Sequence, residues 1–230
     1  MWLDLLYPRE CELCGKAIVE PELDAICYPC DERMEWIGGR TCRRCGAMLP
    51  PAVEDESRCL ECAGREIAFK AAVAAGRYAG RVRELVHRFK FRRRMHLGKL
   101  FASRIVRQIR EAGWLESIDL LVPVPTPVLR ILDRSYAAAE VLAMRLSGEL
   151  DRPWKRGLAI ARSARSQTDL SGAERLKNPV GAFRASPKKV RGKGILLIDD
   201  VLTTGATANE CTRVLRDAGA NQVWLAVIGR

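Results

Sequence analysis

The pattern of hydrophobic and polar positions divides the chain near residue 65 into two unlike parts. The first part has no long apolar pattern and is rich in Cys, Pro and Gly, so it needs a cross-link or a metal to fold. From about Ile67 onwards, short apolar runs alternate with amphipathic segments. We therefore predict a small N-terminal domain over residues 1–65 and a larger domain over residues 66–230.

The larger domain is predicted to alternate strands with helices. Apolar runs predict strands at 69–78, 118–124, 194–198 and 222–228, and residues 162–178 are predicted to form a long polar loop. Helical spacing predicts helices at 97–111 and 135–148, and a third with Ala208, Cys211, Leu215 and Ala218 on one face that stops at Gly219. This alternation indicates an α/β fold, a parallel sheet flanked by helices. Cys211 is predicted to be a small buried hydrophobic residue.

Eight of the nine cysteines form four Cys-x-x-Cys pairs: Cys11/Cys14, Cys27/Cys30, Cys42/Cys45 and Cys59/Cys62. The spacing resembles that of zinc ribbons, in which two such pairs complete a tetrahedral site. Gly15 and Gly46 directly follow two of the pairs, where the turn favours a positive φ. We predict two closed, structural zinc sites formed by consecutive pairs, with a cross-braced pairing as the alternative. Disulfides and a redox-active dithiol are less consistent with four tandem pairs.

The N-terminus and the net charge indicate the cellular compartment and the class of partner. The N-terminus lacks a basic n-region and reaches a charge at Asp4, and no apolar run is long enough to span a membrane. We therefore expect a cytoplasmic protein without membrane insertion. The net charge of +11 indicates an anionic partner such as nucleic acid, a nucleotide or a phosphate-bearing metabolite, or else a solvated basic surface.

The segment from Ile195 to Thr207 is the main candidate for chemistry. A buried strand is predicted to end in Asp199 and Asp200, at the sheet edge where ligands bind in open α/β folds. A Thr-Thr-Gly-Ala-Thr loop follows and leads into a helix N-terminus, which is an anion site. Carboxylates at one end and a phosphate cradle at the other match a ribose 5-phosphate. The loop is not a Walker A sequence, and the simpler alternative is a turn with a capping Thr.

This segment resembles the 5-phosphoribosyl-1-pyrophosphate (PRPP) signature of type I phosphoribosyltransferases, and nearly the whole chain resembles the ComF family of competence-associated proteins. Other matching pieces are Val122-Pro-Val-Pro125, Gln167 with Leu170-Ser171, Glu174-Arg175, Asn178 and Ala182-Phe183. The resemblance implies a type I phosphoribosyltransferase fold, an N-terminal double zinc ribbon and a link to DNA uptake in natural competence.

The resemblance also implies site residues. Asp199 and Asp200 would be the catalytic acids that hold the ribose hydroxyls. The implied PRPP-binding set, with Mg²⁺, is Asp199, Asp200, Val201, Leu202, Thr203, Thr204, Gly205, Ala206 and Thr207. Candidates for pyrophosphate contacts or a closing lid are Pro125, Arg130, Arg134, Arg165, Gln167 and Arg175. The family commonly has Arg-Gly-Phe-Asn-Gln where this chain has Arg134-Ser-Tyr-Ala-Ala138, so the absence of both amides puts turnover in more doubt than PRPP binding.

Residues 81–99 concentrate positive charge, with Phe89 and Phe91 interleaved. Basic side chains that follow a phosphate backbone, together with aromatic rings that stack on bases, are typical of single-stranded DNA binding. The candidate contacts to DNA or phosphate are Lys90, Arg92, Arg93 and Arg94. The alternative is that both Phe are core residues and that Lys90 and Arg92 serve the phosphoribosyl site, which the resemblance favours for the two basic residues. His87 and His96 show no recognisable ligand spacing.

Three functions remain open from the sequence. The first is a Mg²⁺-dependent phosphoribosyltransferase that acts on a nucleobase or an amine-type acceptor. The second is a non-catalytic DNA-uptake factor that binds single-stranded DNA or a partner helicase. The third is a regulator that senses PRPP or a phosphoribosylated nucleotide.

Overall fold

The computed structural model describes residues 9–20, 25–51, 59–127, 131, 136–161 and 180–230. Its helices and strands, in chain order, are α1 Tyr28–Asp31, β1 Ala72–Gly76, α2 Gly80–Phe91, α3 Leu97–Glu111, β2 Leu120–Pro123, α4 Ala138–Leu150, β3 Leu158–Ile160, β4 Phe183–Ala185, α5 Pro187–Val190, β5 Gly194–Val201, α6 Ala206–Asp217 and β6 Gln222–Gly229. A 3₁₀ turn at Leu115–Ser117 precedes β2. None of the helices in these ranges is both long and apolar enough to cross a membrane.

Four parallel strands form the central sheet in the order β1–β6–β5–β2. Side chains of β5 alternate between two cores, with Leu196 and Ile198 in one and Ile195 and Leu197 in the other. Strands covered on both faces bury every residue, which explains their continuous apolar runs. The predicted α/β fold is therefore confirmed, and all four strands end at the same edge of the sheet.

Helices cover both faces of this sheet. The apolar sides of α2, α3 and α4 form one core with the sheet, and α6 packs on the opposite face through Ala208, Cys211 and Leu215. Cys211 is fully buried, as predicted. The bounds of α3 agree with the predicted helix at 97–111, and α6 ends at Asp217, two residues before Gly219.

The Cys-rich part is attached to the open edge of the sheet. Residues 35–37 lie antiparallel to β1, with the N–H of Ile37 donating to the Ala75 carbonyl at 2.9 Å and the N–H of Arg77 donating to the Glu35 carbonyl at 2.8 Å. This pairing occupies hydrogen-bonding groups that an edge strand otherwise exposes. The first Cys-rich unit also contributes Cys11, Cys27 and Cys30 to the larger core.

Several local predictions need correction. Helix α2 was missed within the basic stretch, although Val82, Leu85, Val86 and Phe89 have helical spacing and are all fully buried. The predicted strand at 69–78 is only five residues long, and β5 continues through the two acids to Val201 instead of stopping at Ile198. The antiparallel pair β3–β4 was also missed, because three residues are too few for a visible period. The predicted loop at 162–178 lies outside the described residues.

Candidate functional site

The two acids lie at the end of β5, on the edge where the parallel strands finish. Lys90, near the end of α2, makes an ion pair with Asp200 in which Nζ is 2.8 Å from Oδ1. The Asp199 carboxylate accepts the backbone N–H of Asp200 at 2.8 Å, which fixes its orientation. Both ionic side chains of the Lys90–Asp200 pair are largely shielded from solvent, which strengthens their attraction. Among the described residues, this edge therefore brings together two adjacent carboxylates and the ammonium of Lys90.

Burial and, second, the charge of Asp200 raise the pKa of Asp199 to about 7, although the Asp200 N–H and Lys90 act in the opposite direction. Folding therefore raises the affinity of this carboxyl for a proton. The resulting stability is fully present below the usual carboxylate pKa near 3.8 and is lost as the pH rises through about 7. The acid pair costs stability at neutral pH when no ligand is bound, as is common in functional sites.

The substitution Asp199→Asn is expected to reverse this cost. Between pH 6 and pH 8 the wild type should lose about 1 kcal/mol of unfolding free energy relative to the variant, because only the wild type must ionise Asp199. Urea unfolding at the two pH values measures the difference. Asp217→Asn, at the exposed end of α6, keeps Asp199 and is the control, so it should lose as much unfolding free energy as the wild type between the two pH values. If the difference in unfolding free energy between the wild type and Asp199→Asn is the same at both pH values, the raised pKa of Asp199 is contradicted.

The loop after β5 leads directly into α6. Leu202 is buried, and Thr203 and Thr204 are exposed. Gly205 caps the helix with a φ of 83°, which residues with a side chain rarely adopt. The Thr204 hydroxyl accepts the N–H of Ala206 at 3.3 Å. Ala206 and Thr207 form the start of the first helical turn, where backbone N–H groups lack partners within the helix. The loop thus offers hydroxyl and N–H donors close to the acid pair.

The second Cys-rich unit lies beneath this loop. A cavity of about 20 Å³ separates Cys45 and Cys62 from residues 202–205, and Arg230 lines the same cavity. Arg230 donates to the Cys45 sulfur at 2.9 Å and lies 3.1 Å from the Glu61 carboxylate. Arg65 donates to the Thr203 carbonyl at 3.4 Å. Arg65 and Arg230 were missed in the sequence, where no local pattern links them to the loop.

The other predicted site residues divide into two groups. Pro125 is partly buried just beyond the end of β2, on the same sheet edge as the acids. Arg130, Arg134, Arg165, Gln167 and Arg175 lie outside the described residues.

Residues 134–138 depart from the family pattern, and the described ones among them, 136–138, lie in apolar surroundings. Tyr136 packs against Phe89 with 5.7 Å between ring centroids, and Ala137 and Ala138 are buried. These two alanines therefore supply neither a side-chain donor nor an acceptor at positions where the family commonly has amides.

The basic stretch is not uniform. Phe89 is fully buried between Phe101 and Tyr136, so for this ring the alternative of a core residue is confirmed over base stacking. Phe91 is 41% exposed and stacks on His87 with 4.6 Å between centroids. The four predicted basic contacts differ: Lys90 pairs with Asp200, Arg94 pairs with Glu12 at 3.4 Å, and Arg92 and Arg93 are exposed.

Two groups of four cysteines have the geometry of metal sites. They are Cys11, Cys14, Cys27 and Cys30, and Cys42, Cys45, Cys59 and Cys62. The sulfur–sulfur distances of 3.5 to 3.7 Å between Cys14 and Cys27 and within the second group are far from a disulfide bond. They agree with the separation of about 3.8 Å that tetrahedral Zn–S bonds of about 2.3 Å require. The pairing of consecutive pairs is confirmed over the cross-braced alternative.

The turns of these units fit thiolate ligands. Gly15 and Gly46 adopt φ values of 72° and 70°, as predicted, and each N–H donates to the carbonyl of the first cysteine of its pair. Burial raises the pKa of Cys11 and Cys42, but hydrogen bonds from nearby backbone N–H groups more than offset it and lower the pKa of each thiol to about 7. In the same two groups, burial raises the pKa of Cys30 and Cys45 to about 12, so a bound cation is needed to ionise all four thiols of a site. Thiolates are the form that binds zinc.

Comparison with known proteins agrees with this architecture. A phosphoribosyl transferase domain model matches residues 104–229, and a double zinc ribbon domain model matches residues 2–63. These matches define the class: a phosphoribosyltransferase-type domain that carries a pair of zinc ribbons. The nine cysteines are free of disulfides, and eight of them form the two zinc-ribbon sites.

Similar proteins specify the family. Competence protein F of Haemophilus influenzae is 28% identical over 209 residues, covering 87% of this chain and 89% of its own. DNA utilization protein YhgH of Escherichia coli is 28% identical and competence protein ComFC of Streptococcus pneumoniae is 26% identical, covering 96% and 93% of this chain and 97% and 96% of their own. A glutamine PRPP amidotransferase from B. subtilis aligns with a TM-score of only 0.37 at 25% identity, over 58% of this chain and 25% of its own. The chain therefore belongs to the ComF family of phosphoribosyltransferase-fold proteins.

Proposed function

We propose that the chain binds PRPP with Mg²⁺ at residues 199–207 and transfers its phosphoribosyl group to an acceptor that carries a nucleophilic nitrogen. The observation that carries the proposal is the adjacency of the acid pair to the loop at the start of α6. Asp199 and Asp200 would accept hydrogen bonds from the two ribose hydroxyls. The N–H and hydroxyl groups of Thr203 to Thr207 would surround the 5-phosphate.

The donors at this edge fit magnesium. Mg²⁺ prefers hard oxygen ligands, and in phosphate sites it commonly takes one or two carboxylates together with substrate phosphates. Asp199 and Asp200 are the carboxylates that would hold it, either directly or through water. When bound, Mg²⁺ would neutralise charge on the pyrophosphate. The Lys90 ammonium, paired with Asp200 in the free protein, would then be released to an anionic oxygen of the ligand.

In the proposed reaction, the bond between C1 of the ribose and the pyrophosphate oxygen breaks. The acceptor nitrogen supplies the electron pair for the new bond to C1, and its proton leaves to solvent or to the departing pyrophosphate. Positive charge develops on the ribose ring as the leaving group departs. The carboxylates of Asp199 and Asp200 would stabilise this charge, because they are oriented before the reaction begins.

The test of transfer is pyrophosphate release from PRPP and Mg²⁺ during a screen of nucleobases and amines. Transfer predicts release that depends on one acceptor and that is lost in the variant with Asp199→Asn and Asp200→Asn. PRPP binding without release in the presence of any acceptor would refute transfer and favour the sensing role. The buried alanines at 137 and 138 make this outcome the chief competitor.

A second candidate function, binding of single-stranded DNA, is favoured by the outer face of α2. Arg83, His87, Arg88 and Arg92 line an open groove of about 310 Å³ together with Glu84, which pairs with Arg88 at 2.6 Å. Beside it, Phe91 provides an exposed ring whose plane is tilted by 36° from that of His87. Cationic grooves with accessible aromatic rings bind single strands without reading their sequence. Two of the relatives are named for competence and one for DNA utilization, which is consistent with this role. A partner helicase would be a further ligand of the same basic face.

Replacing Arg83 and Arg92 by Gln is expected to weaken this DNA binding and its salt dependence together. Each lost phosphate contact reduces the slope of log affinity against log salt by about 0.7 for a single strand, so the pair should reduce it by about 1.4. Binding of labelled oligonucleotides at several salt concentrations measures the slope. Arg107→Gln, in an exposed pair with Glu111 on α3, is the control. An unchanged slope in the double variant would show that the groove does not contact DNA.

We further propose that the protein works in the cytoplasm. Eight cysteines in two metal sites require a reducing compartment, because oxidation would convert ligand pairs into disulfides. PRPP as the ligand is consistent with the same location.

A further inference from the structure

Glu12 stands between two metal-site cysteines, Cys11 and Cys14, yet it faces away from them towards the larger domain. Its carboxylate is 9% exposed and lies 2.9 Å from His96 Nε2 and 3.4 Å from Arg94 Nε. Arg88 approaches the same carboxylate at 3.9 Å and also donates to the Glu12 carbonyl oxygen. One nearly buried acid is thus surrounded by three basic side chains of the larger domain, of which Arg88 also pairs with Glu84 at 2.6 Å.

These three side chains lie on both sides of Lys90 in the chain. Arg88 belongs, like Lys90, to the last turn of α2, and Arg94 and His96 belong to the connection that leads into α3. In this connection Arg93 adopts a positive φ of 56°, a conformation that costs energy for a residue with a side chain. Glu12 contacts residues on either side of Arg93, so the end of α2 is joined to the first zinc ribbon through this one side chain.

Lys90 in turn reaches Asp200 at 2.8 Å. A lysine side chain loses much rotamer freedom when its ammonium is held, so a backbone already fixed in place lowers the cost of each contact that the ammonium makes. Glu12 has no contact with the acid pair or the phosphate loop among the described residues. Any influence of Glu12 on the site must pass through the end of α2 and Lys90.

We propose that Glu12 is a positioning residue for the phosphoribosyl site. Glu12 holds Lys90 close to Asp200 in the free protein and close to the anionic ligand once that ligand is bound. The inference rests on the proposed binding of PRPP at residues 199–207. It gives the first zinc ribbon a role in ligand binding: the metal holds the turn that presents Glu12, and Glu12 holds the lysine. A ribbon that served only to stabilise the chain would not change ligand affinity once the protein is folded.

The test is a double-mutant cycle on the zinc-loaded full chain, with PRPP and Mg²⁺ titrated calorimetrically at a temperature well below unfolding. Glu12→Gln keeps the size of the side chain and should lower affinity about tenfold. Lys90→Gln should lower it at least as much, and Glu12→Gln added to Lys90→Gln should have no further effect. Glu10→Gln, exposed in the same ribbon, is the control and should bind like the wild type.

A second substitution separates positioning from folding. His96→Asn removes a partner of Glu12 that belongs to the larger domain and leaves the zinc-binding turn unchanged. This variant should lower the affinity for PRPP in the wild-type background but not in the Lys90→Gln background. Zinc content is measured for each variant. Wild-type affinity in both Glu12→Gln and His96→Asn, or effects that add fully to that of Lys90→Gln, would overturn the positioning role. Failure of the wild type to bind PRPP would instead remove the proposed function itself.

Discussion

Replacing Asp199 and Asp200 together by asparagine is expected to abolish the thermal stabilisation that PRPP and Mg²⁺ give the wild-type chain. A ligand that binds only the folded state at about 100 times its dissociation constant adds about 2.7 kcal/mol. For a chain of this size, this corresponds to a rise in melting temperature of about 5 to 10 °C. The variant loses the charges that accept ribose hydroxyls and Mg²⁺, so the rise should disappear.

The same experiment separates the loss of binding from the loss of folding. Without ligand, the single variant Asp199→Asn, which keeps the Lys90–Asp200 ion pair, should be at least as stable as the wild type above pH 7, because burial and Asp200 disfavour the ionised form of Asp199. A double variant that unfolds cooperatively without ligand but gains no stability from PRPP and Mg²⁺ has lost binding and not folding. Asp217→Asn, at the far end of α6, should keep the full ligand-induced rise. A double variant that is still stabilised by PRPP and Mg²⁺ would show that the acids do not bind the ligand.

Removing zinc is expected to have the largest effect on stability. Structural zinc sites contribute roughly 10–16 kcal/mol in isolated zinc-finger peptides, which is as much as the total stability of many domains. The two ribbons should differ, because Cys11, Cys27 and Cys30 belong to the main core whereas the second ribbon has a small core of its own. Cys11→Ser should therefore destabilise the whole chain more than Cys42→Ser does.

Zinc analysis together with thermal unfolding measures this difference. The wild type should contain two zinc ions per chain, and each ligand variant should contain one. Cys211→Ser is the control for metal content, because Cys211 is a buried cysteine outside both groups and should leave two ions bound. Fewer than two ions in the wild type would contradict the count, and equal destabilisation by both ligand variants would contradict the difference between the ribbons.

Features that depend on neighbours in the chain were predicted correctly from the sequence. Helix α3 has a regular apolar period, and the strand that carries Asp199 and Asp200 is an apolar run followed by a loop with Gly205. Each zinc site uses closely spaced pairs, so its ligands and even its pairing could be predicted. In each of these cases the signal in the sequence lies in residues that are close together in the chain.

Features that depend on distant partners could not be predicted in this way. The contact of Arg230 with Cys45 joins residues 185 positions apart, and that of Arg65 with Thr203 joins residues 138 positions apart. Phe89 resembled a stacking residue because basic residues flank it, but the burial of α2 placed it in the core. The domain boundary near residue 65 and the roles of the individual site residues stay predictions.

The most direct test of the account is a calorimetric titration of PRPP into the zinc-loaded wild-type chain, with and without Mg²⁺. We predict one site per chain that requires Mg²⁺ and that ribose 5-phosphate competes for, because the acid pair and the phosphate loop recognise the part that both ligands share. No binding by a folded chain that contains both zinc ions, or binding that ribose 5-phosphate does not weaken, would contradict a phosphoribosyl site at residues 199–207.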